Sequence, residues 1–276
     1  MPVKKDKTEN FYKKEEVKKY LPKNEKESEM MEEQTGMKLT HHALICGSTN
    51  SGKSNTLMNL IKRCNGIFDK IIYCCQKEEP FTKMLKEKLK EQILFFINDK
   101  GMKDLPEVEE LPEVSEKNNR YIMLIFDDMV GENQWTNKIN KYFKYGRNKG
   151  IQIFFLTQSY KAGGTMMSFI RKQCSYILLC GIKSNSELKD ICADYAMGNI
   201  NPEKLYKMYR YCKSEEDKGE IDFMKITTYH TKPDKKISCN FADYLDPEDP
   251  EFCVEKTKSK RKNKKQDDNF EFEESE

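Results

Sequence analysis

Six short apolar runs recur along the middle of the chain, at residues 42–46, 71–75, 93–97, 121–127, 151–157 and 175–181. Each is bounded by polar or turn-forming residues and is shorter than a buried helix, so each predicts a strand. The stretch "IDFMKITTY" from Ile221 predicts a later one. Between the runs the spacing changes to that of a helix with one apolar face. Leu57, Leu60, Ile61 and Cys64 fall at i, i+3, i+4 and i+7, with Gly66 as a stop. Ser184 with Glu187 predicts a capping box ahead of Leu188, Ile191, Cys192 and Tyr195. Asn201 and Pro202 open another helix, whose apolar face is Leu205, Met208, Tyr209 and Cys212. Strands alternating with such helices predict an α/β fold with a mainly parallel central sheet flanked by helices.

The remaining segments break these periods. "DLPEVEELPEVSE" carries two prolines within seven residues, which rules out a helix interior or central strand and predicts a surface loop. Residues 1–38 are charge-dense with few periodic apolar positions, and predict a partly disordered N-terminal arm, either without structure or loosely helical. One domain over residues 39–245 follows, then a charged C-terminal tail over 246–276, also expected to be disordered. In the tail "KTKSKRKNKK" has seven basic residues and no acid before "QDDNFEFEESE" reverses the sign. It reads either as a solvated tail or as a DNA-binding or nuclear-localisation segment.

Composition narrows the class. The 276 residues suffice to bury a sizeable core. Charged residues are 34% of the chain, but the net charge is only +3, so overall charge makes no case for nucleic acid. The apolar runs fall far short of the ~20 residues a membrane helix needs. The N-terminus lacks the apolar stretch of a secretory signal. A soluble intracellular protein without membrane insertion is expected. The ten cysteines fall mostly within strands or on helix faces, as in "IIYCCQ" and "YILLCG", and read as buried thiols. No CxxC pair occurs, and His41, His42 and His230 lack ligand spacing with the cysteines, so zinc is not expected.

Against this background one motif carries chemistry. Residues Gly47, Ser48, Thr49, Asn50, Ser51, Gly52, Lys53 and Ser54, with Asn55 following, match G-x-x-x-x-G-K-[ST] in full. The match lies between an apolar run and a helical pattern, the strand–loop–helix setting that lets backbone N–H groups wrap phosphates. Lys53 is then expected to reach the β and γ phosphates of ATP and Ser54 to ligate Mg²⁺. The run "YIMLIFDDMV" ends in two acids. Asp127 is the candidate for Mg²⁺ coordination and Asp128 for polarising the attacking water. "IQIFFLTQSY" is polar only at its end, where Thr157, Gln158 and Ser159 would emerge at the ligand-binding edge of an open α/β sheet. Gln158 is the candidate γ-phosphate sensor.

"DMVG" at Asp128 also fits the D-x-x-G of GTPases, but "NKIN" at Asn137 lacks the aspartate that guanine recognition needs. A small-molecule kinase shares the loop; paired acids and a glutamine suit water activation better than transfer to an acceptor.

The order "GSTNSGKS", "LIFDD", "GRNKGIQIFFLTQSY", "FIRKQCSYILL" resembles the poxvirus-type genome-packaging ATPases, the viral branch of the FtsK–HerA superfamily, found in large DNA viruses, virophages and Polinton-like elements. The resemblance spans about residues 40 to 182. It implies a three-layer P-loop NTPase fold of the ASCE, RecA-like kind. It also implies an ATP-driven motor that forms a homo-oligomeric ring, moves double-stranded DNA into a capsid, and works with a capsid or portal-vertex protein where virions assemble, in cytoplasm or nucleus. Carried over residue by residue, it implies nucleotide and metal roles for Lys53, Ser54, Asp127, Asp128 and Gln158. Arg147 and Arg171 match its arginines, candidates for a finger acting on a neighbour's γ phosphate. Many cellular relatives have glutamate as the second acid, where this chain has the shorter Asp128.

"NKINKYFKYGRNKG" puts Lys138, Lys141 and Lys144 on a helical stripe opposite Trp135, Ile139, Tyr142 and Phe143, which reads as a solvated face or a track for DNA phosphates. The glycines of "SYKAGGTMMSF" predict a mobile loop after the sensor strand. Two functions follow: a DNA-translocating ATPase, or a non-catalytic ATP-binding switch for capsid or partner assembly.

Overall fold

The computed structural model describes residues 25–114, 120–131, 133–214, 222–229 and 232–252. The six apolar runs form β1 (Ala43–Gly47), β2 (Lys70–Cys75), β3 (Ile93–Ile97), β4 (Ile122–Asp127), β5 (Ile151–Thr157) and β6 (Tyr176–Gly181). These pair in parallel. The later strand is β7 (Met224–Thr227); β8 (Ile237–Cys239) and β9 (Asp243–Tyr244) extend it, all antiparallel. The sheet has nine strands in the order β3-β2-β4-β5-β1-β6-β7-β8-β9. A central parallel strand is covered on both faces, which is why β1 and β5 are buried at every position and are apolar almost throughout.

Helices complete three layers. On one face lie α1 (Glu25–Thr35), α2 (Lys53–Arg63) and α3 (Pro80–Leu89). On the other lie α4 (Asn98–Asp104), α5 (Thr136–Tyr145), α6 (Gly164–Gln173), α7 (Asn185–Tyr195) and α8 (Pro202–Ser214). The predicted apolar stripes are the buried ones: Leu57, Leu60 and Ile61 on α2, Leu188, Ile191 and Cys192 on α7, and Leu205, Met208, Tyr209 and Cys212 on α8. Every described cysteine is buried and free.

Three local expectations change. Ser184 caps α7 by accepting from the Glu187 N–H at 3.3 Å. The Glu187 carboxylate makes a different bond from the one the capping box predicts. It accepts from the Ser159 hydroxyl and the Tyr160 N–H, each at 2.6 Å, because the turn after β5 offers donors with no strand partner. The proline-rich segment is anchored: Leu105 and Val108 are buried, and the Tyr142 hydroxyl donates to the Pro106 carbonyl at 2.6 Å. Glu109, Glu110, Pro112 and Glu113 are exposed. Packing also begins before residue 39. Met31 and Met37 are fully buried beside α2. The Lys225 ammonium on β7 donates to the carbonyls of Thr35, Gly36 and Phe241, tying this segment to the antiparallel edge. Residues 1–24 and 253–276, including the basic run, lie outside the described residues.

His42, just before β1, gives a pH-dependent test of this packing. It is buried, and its Nδ1 accepts from the Ile153 N–H at 3.1 Å. Burial first, then the Arg147 and His41 charges, push its pKa down to about 3. The unfolded chain titrates near the ordinary ~6.5, so between those values it binds more protons than the folded one. Stability present above the unfolded value is therefore lost as pH falls toward 3, by up to about 1.4 kcal/mol per pH unit. His42→Asn keeps an acceptor near Nδ1 and should flatten that slope in urea unfolding at pH 7 to 4. An unchanged slope would refute the assignment.

Candidate functional site

β1 ends at Gly47 and α2 starts at Lys53, so the glycine loop turns tightly between them. Gly52 caps the helix at φ 87°, a left-handed conformation that residues with a Cβ adopt at a cost. A Cβ at Gly47 would collide with the Ser51 hydroxyl. The Ser48 N–H donates to the Gly181 carbonyl at 2.8 Å, fastening the loop to β6. Lys53 folds back over the loop, its ammonium donating to the Gly47 carbonyl at 2.6 Å and the Ser48 carbonyl at 3.0 Å.

The acids and the glutamine emerge beside this loop because β5 is hydrogen-bonded to both β4 and β1. Asp127 closes β4. Asp128 follows at φ 54°, a conformation aspartate tolerates better than most residues. Gln158, one residue past β5, donates from Nε2 to Asp128 Oδ2 at 2.8 Å, and its Oε1 accepts from the Thr49 hydroxyl at 3.0 Å. The NH₂ end of the amide faces Asp128, and this leaves the oxygen for Thr49. A hydrogen-bonded chain thus runs from the phosphate loop through the glutamine to the second acid. Thr49, Asn50, Lys53, Ser54, Asp127, Asp128 and Gln158 border one cleft of about 320 Å³.

Three further residues at this cleft or beside it were not assigned to the site from the sequence, where Glu187 has only a capping role. The Tyr73 hydroxyl on β2 donates to Asp127 Oδ2 at 2.5 Å. Its signal was a lone hydroxyl on a buried strand facing the same way as the end of β4. Glu79, the N-cap of α3, lines the cleft from the far side. Glu187 holds the turn after Gln158 through the bonds described above. Burial pushes the Asp127 carboxyl above the usual carboxylate range. The Tyr73 hydrogen bond opposes this, the Asp128 and Glu79 charges add to it, and Lys53 offsets it. A carboxylate so placed gains from a cation. With the Ser54 hydroxyl on the same cleft, the donors are oxygens, which is the chemistry a Mg²⁺ ion takes.

The remaining predicted residues lie apart. Arg147 is in the turn before β5, at the opposite edge of the sheet from the loop, exposed and 3.3 Å from His41 Nε2. Arg171, on α6, donates to the Tyr160 carbonyl and lies 4.4 Å over that residue's ring. The lysine stripe of α5 is partly neutralised within the chain. Lys138 pairs with Glu107 at 3.3 Å, and Lys141 with Glu107 at 3.6 Å and Glu109 at 3.1 Å. Both acids belong to the anchored proline-rich segment, so much of the stripe already has counter-charges.

No protein-family model matches the sequence, and no curated protein matches it as a relative. Among solved structures the chain is similar to the genome packaging NTPase B204 from Sulfolobus turreted icosahedral virus 2 in complex with ATP-gammaS. That match has 17% identity and a TM-score of 0.48, and covers 74% of this chain and 98% of that one. It is also similar to the cytoplasmic domain of the Thermomonospora curvata Type VII secretion ATPase EccC, at 13% identity and TM-score 0.47, covering 74% and 25%. EssC (ATPases 2 and 3) from Geobacillus thermodenitrificans matches at 15% identity and TM-score 0.43, covering 55% and 34%. The chain thus spans about a third or less of the length of the two secretion ATPases. With TM-scores below 0.5, these likenesses do not decide function, which rests on the residues themselves.

Proposed function

We propose that the chain is an ATPase of the FtsK–HerA kind whose hydrolysis moves double-stranded DNA, in the packaging of a viral genome into a capsid. The observation that carries the hydrolytic part is the hydrogen-bonded chain Thr49–Gln158–Asp128 at the mouth of a complete phosphate-binding loop. Backbone N–H groups of residues 49, 50 and 52 to 54 cradle the phosphates, and Lys53 leaves the loop carbonyls for the β and γ phosphates. Ser54 and Asp127 would hold Mg²⁺, which when bound neutralises phosphate charge. Tyr73 keeps one Asp127 oxygen engaged, so the other is presented to the cleft. Asp128 accepts a proton from the attacking water, held by Gln158 in the orientation this needs. Arrival of a γ phosphate gives Thr49 and Gln158 a new partner and so couples occupancy to the position of Asp128.

The DNA part is supported by the resemblance over residues 40 to 182. Arg147 faces away from its own loop, which suits action on a neighbour in a homo-oligomeric ring. Arg171, bound to Tyr160, is the weaker candidate. A capsid or portal-vertex protein is the further partner this reading requires. Phosphate release measured with and without duplex DNA, beside the oligomeric state by light scattering, tests it. Turnover should rise severalfold with DNA and with assembly. A DNA-independent rate from a monomer at every concentration would sink the motor reading. Tight ATP binding without turnover, with DNA present, would favour the switch.

A further inference from the structure

On the flank of α2 away from the acids lies a second, larger cleft of about 550 Å³. One wall is a face of α2, with Asn55, Asn59 and Arg63. The other is residues 222–223 and 240–243, at the open end of the β7–β8 pair. Met224 pairs with Leu179 of β6, and Leu179 with Cys46 of β1, so this open end emerges at the same sheet edge as the phosphate loop. Strand order then puts the acids of β4 and Gln158 of β5 on one side of β1 and this cleft on the other. Ser54 borders the first cleft and Asn55, the next residue, borders the second.

This arrangement gives a bound nucleotide a direction. With its γ phosphate against Asp127, Asp128 and Gln158, its ribose and base lie at the other end of the phosphate chain and leave the loop toward β6 and β7. The first cleft, bordered by Lys53, Ser54, both acids and Gln158, takes the phosphates. We propose that the second cleft holds the ribose and base, with Asn59, Arg63 and Asp243 deciding which nucleoside is accepted; this rests on reading the loop as an ATP site.

The side chains suit that ligand. Arg63 lies over the Phe241 ring at 4.7 Å and donates to the Gln34 carbonyl at 3.1 Å, so its planar cation is held beside the cleft, where a base stacks or accepts hydrogen bonds. Asn59 uses Nδ2 on the Asn55 carbonyl at 3.0 Å, and its own carbonyl remains for an exocyclic amine. Asp243 is exposed, an acceptor for ribose hydroxyls. The antiparallel extension β7 to β9 thereby acquires a role in recognition.

Competition binding in Mg²⁺ with ATP and with inorganic tripolyphosphate separates the two clefts. The wild-type chain is expected to bind ATP at least about tenfold tighter than tripolyphosphate, about 1.4 kcal/mol. Asn59→Trp fills the second cleft from an exposed helical position and should bring ATP down to the affinity of tripolyphosphate while leaving the latter unchanged. Asp243→Ala, at a second exposed position, should weaken ATP alone by a smaller factor. If both variants bind ATP as the wild type does, the cleft is not the nucleoside site and the inference is overturned, while the ATP reading stands. If the wild type binds neither ligand, both fall together.

Discussion

Lys53→Ala is expected to lower ATP turnover by at least about 10²- to 10³-fold, the loss seen when one preorganised donor to developing negative charge is removed. The ammonium already lies inside the loop, on two loop carbonyls at 2.6 and 3.0 Å, and exchanges these for phosphate oxygens when a nucleotide binds. Lys53→Arg should rescue little, since a planar guanidinium does not replace a compact ammonium in so tight a loop. The substitution lies in the first turn of α2, whose buried residues are Thr56, Leu57, Leu60 and Ile61, so the melting temperature should move by only a few degrees. Phosphate-release kinetics beside thermal unfolding check both statements. Turnover within about threefold of wild type would remove Lys53 from the site.

The two acids should separate by the kind of loss they produce. Asp127→Asn is expected to raise the Mg²⁺ concentration needed for half-maximal turnover by tenfold or more, because it removes a charged oxygen ligand and leaves only neutral donors. Asp128→Asn is expected to leave that Mg²⁺ requirement in place and to lower kcat by about 10²- to 10⁴-fold, the range for loss of a general base. Asparagine is the right replacement at 128. At φ 54° it is among the few residues that tolerate the backbone, so the loss would report chemistry rather than strain. It also disturbs the hydrogen-bonded chain, since the Gln158 NH₂ would meet an amide in place of a carboxylate. Mg²⁺ titrations of both variants at saturating ATP decide the matter. A reversed pattern, with the metal requirement moving in Asp128→Asn alone, would exchange the two roles.

Much of the fold was legible because the signals are local. A run such as "IQIFFL" is apolar almost throughout because a central parallel strand has no wet face, and Leu57, Leu60 and Ile61 recur at helical spacing because α2 has one dry face. Short elements escaped. α4 and β8 are too brief to set a period, and β9, exposed at both residues, has no apolar face to show. The capping pattern at Ser184 was half right because Glu187 had a better offer from a turn that the local sequence does not place nearby.

The candidate site divides the same way. The sequence by itself determined the residue types: a phosphate loop at Gly47 to Ser54, paired acids at the end of one strand and a glutamine at the end of another. Tertiary structure decided which of them meet. Thr49 reaches Gln158 across 109 positions, and Tyr73 reaches Asp127 across 54, because β5 is hydrogen-bonded to both β1 and β4 and β2 to β4. It also set Glu107 and Glu109 against Lys138 and Lys141, and opened a second cleft beside α2. Periodicity reports only whether a residue faces solvent or core. Strand order and register fix who its neighbour is, and they are settled by burying all the apolar faces at once.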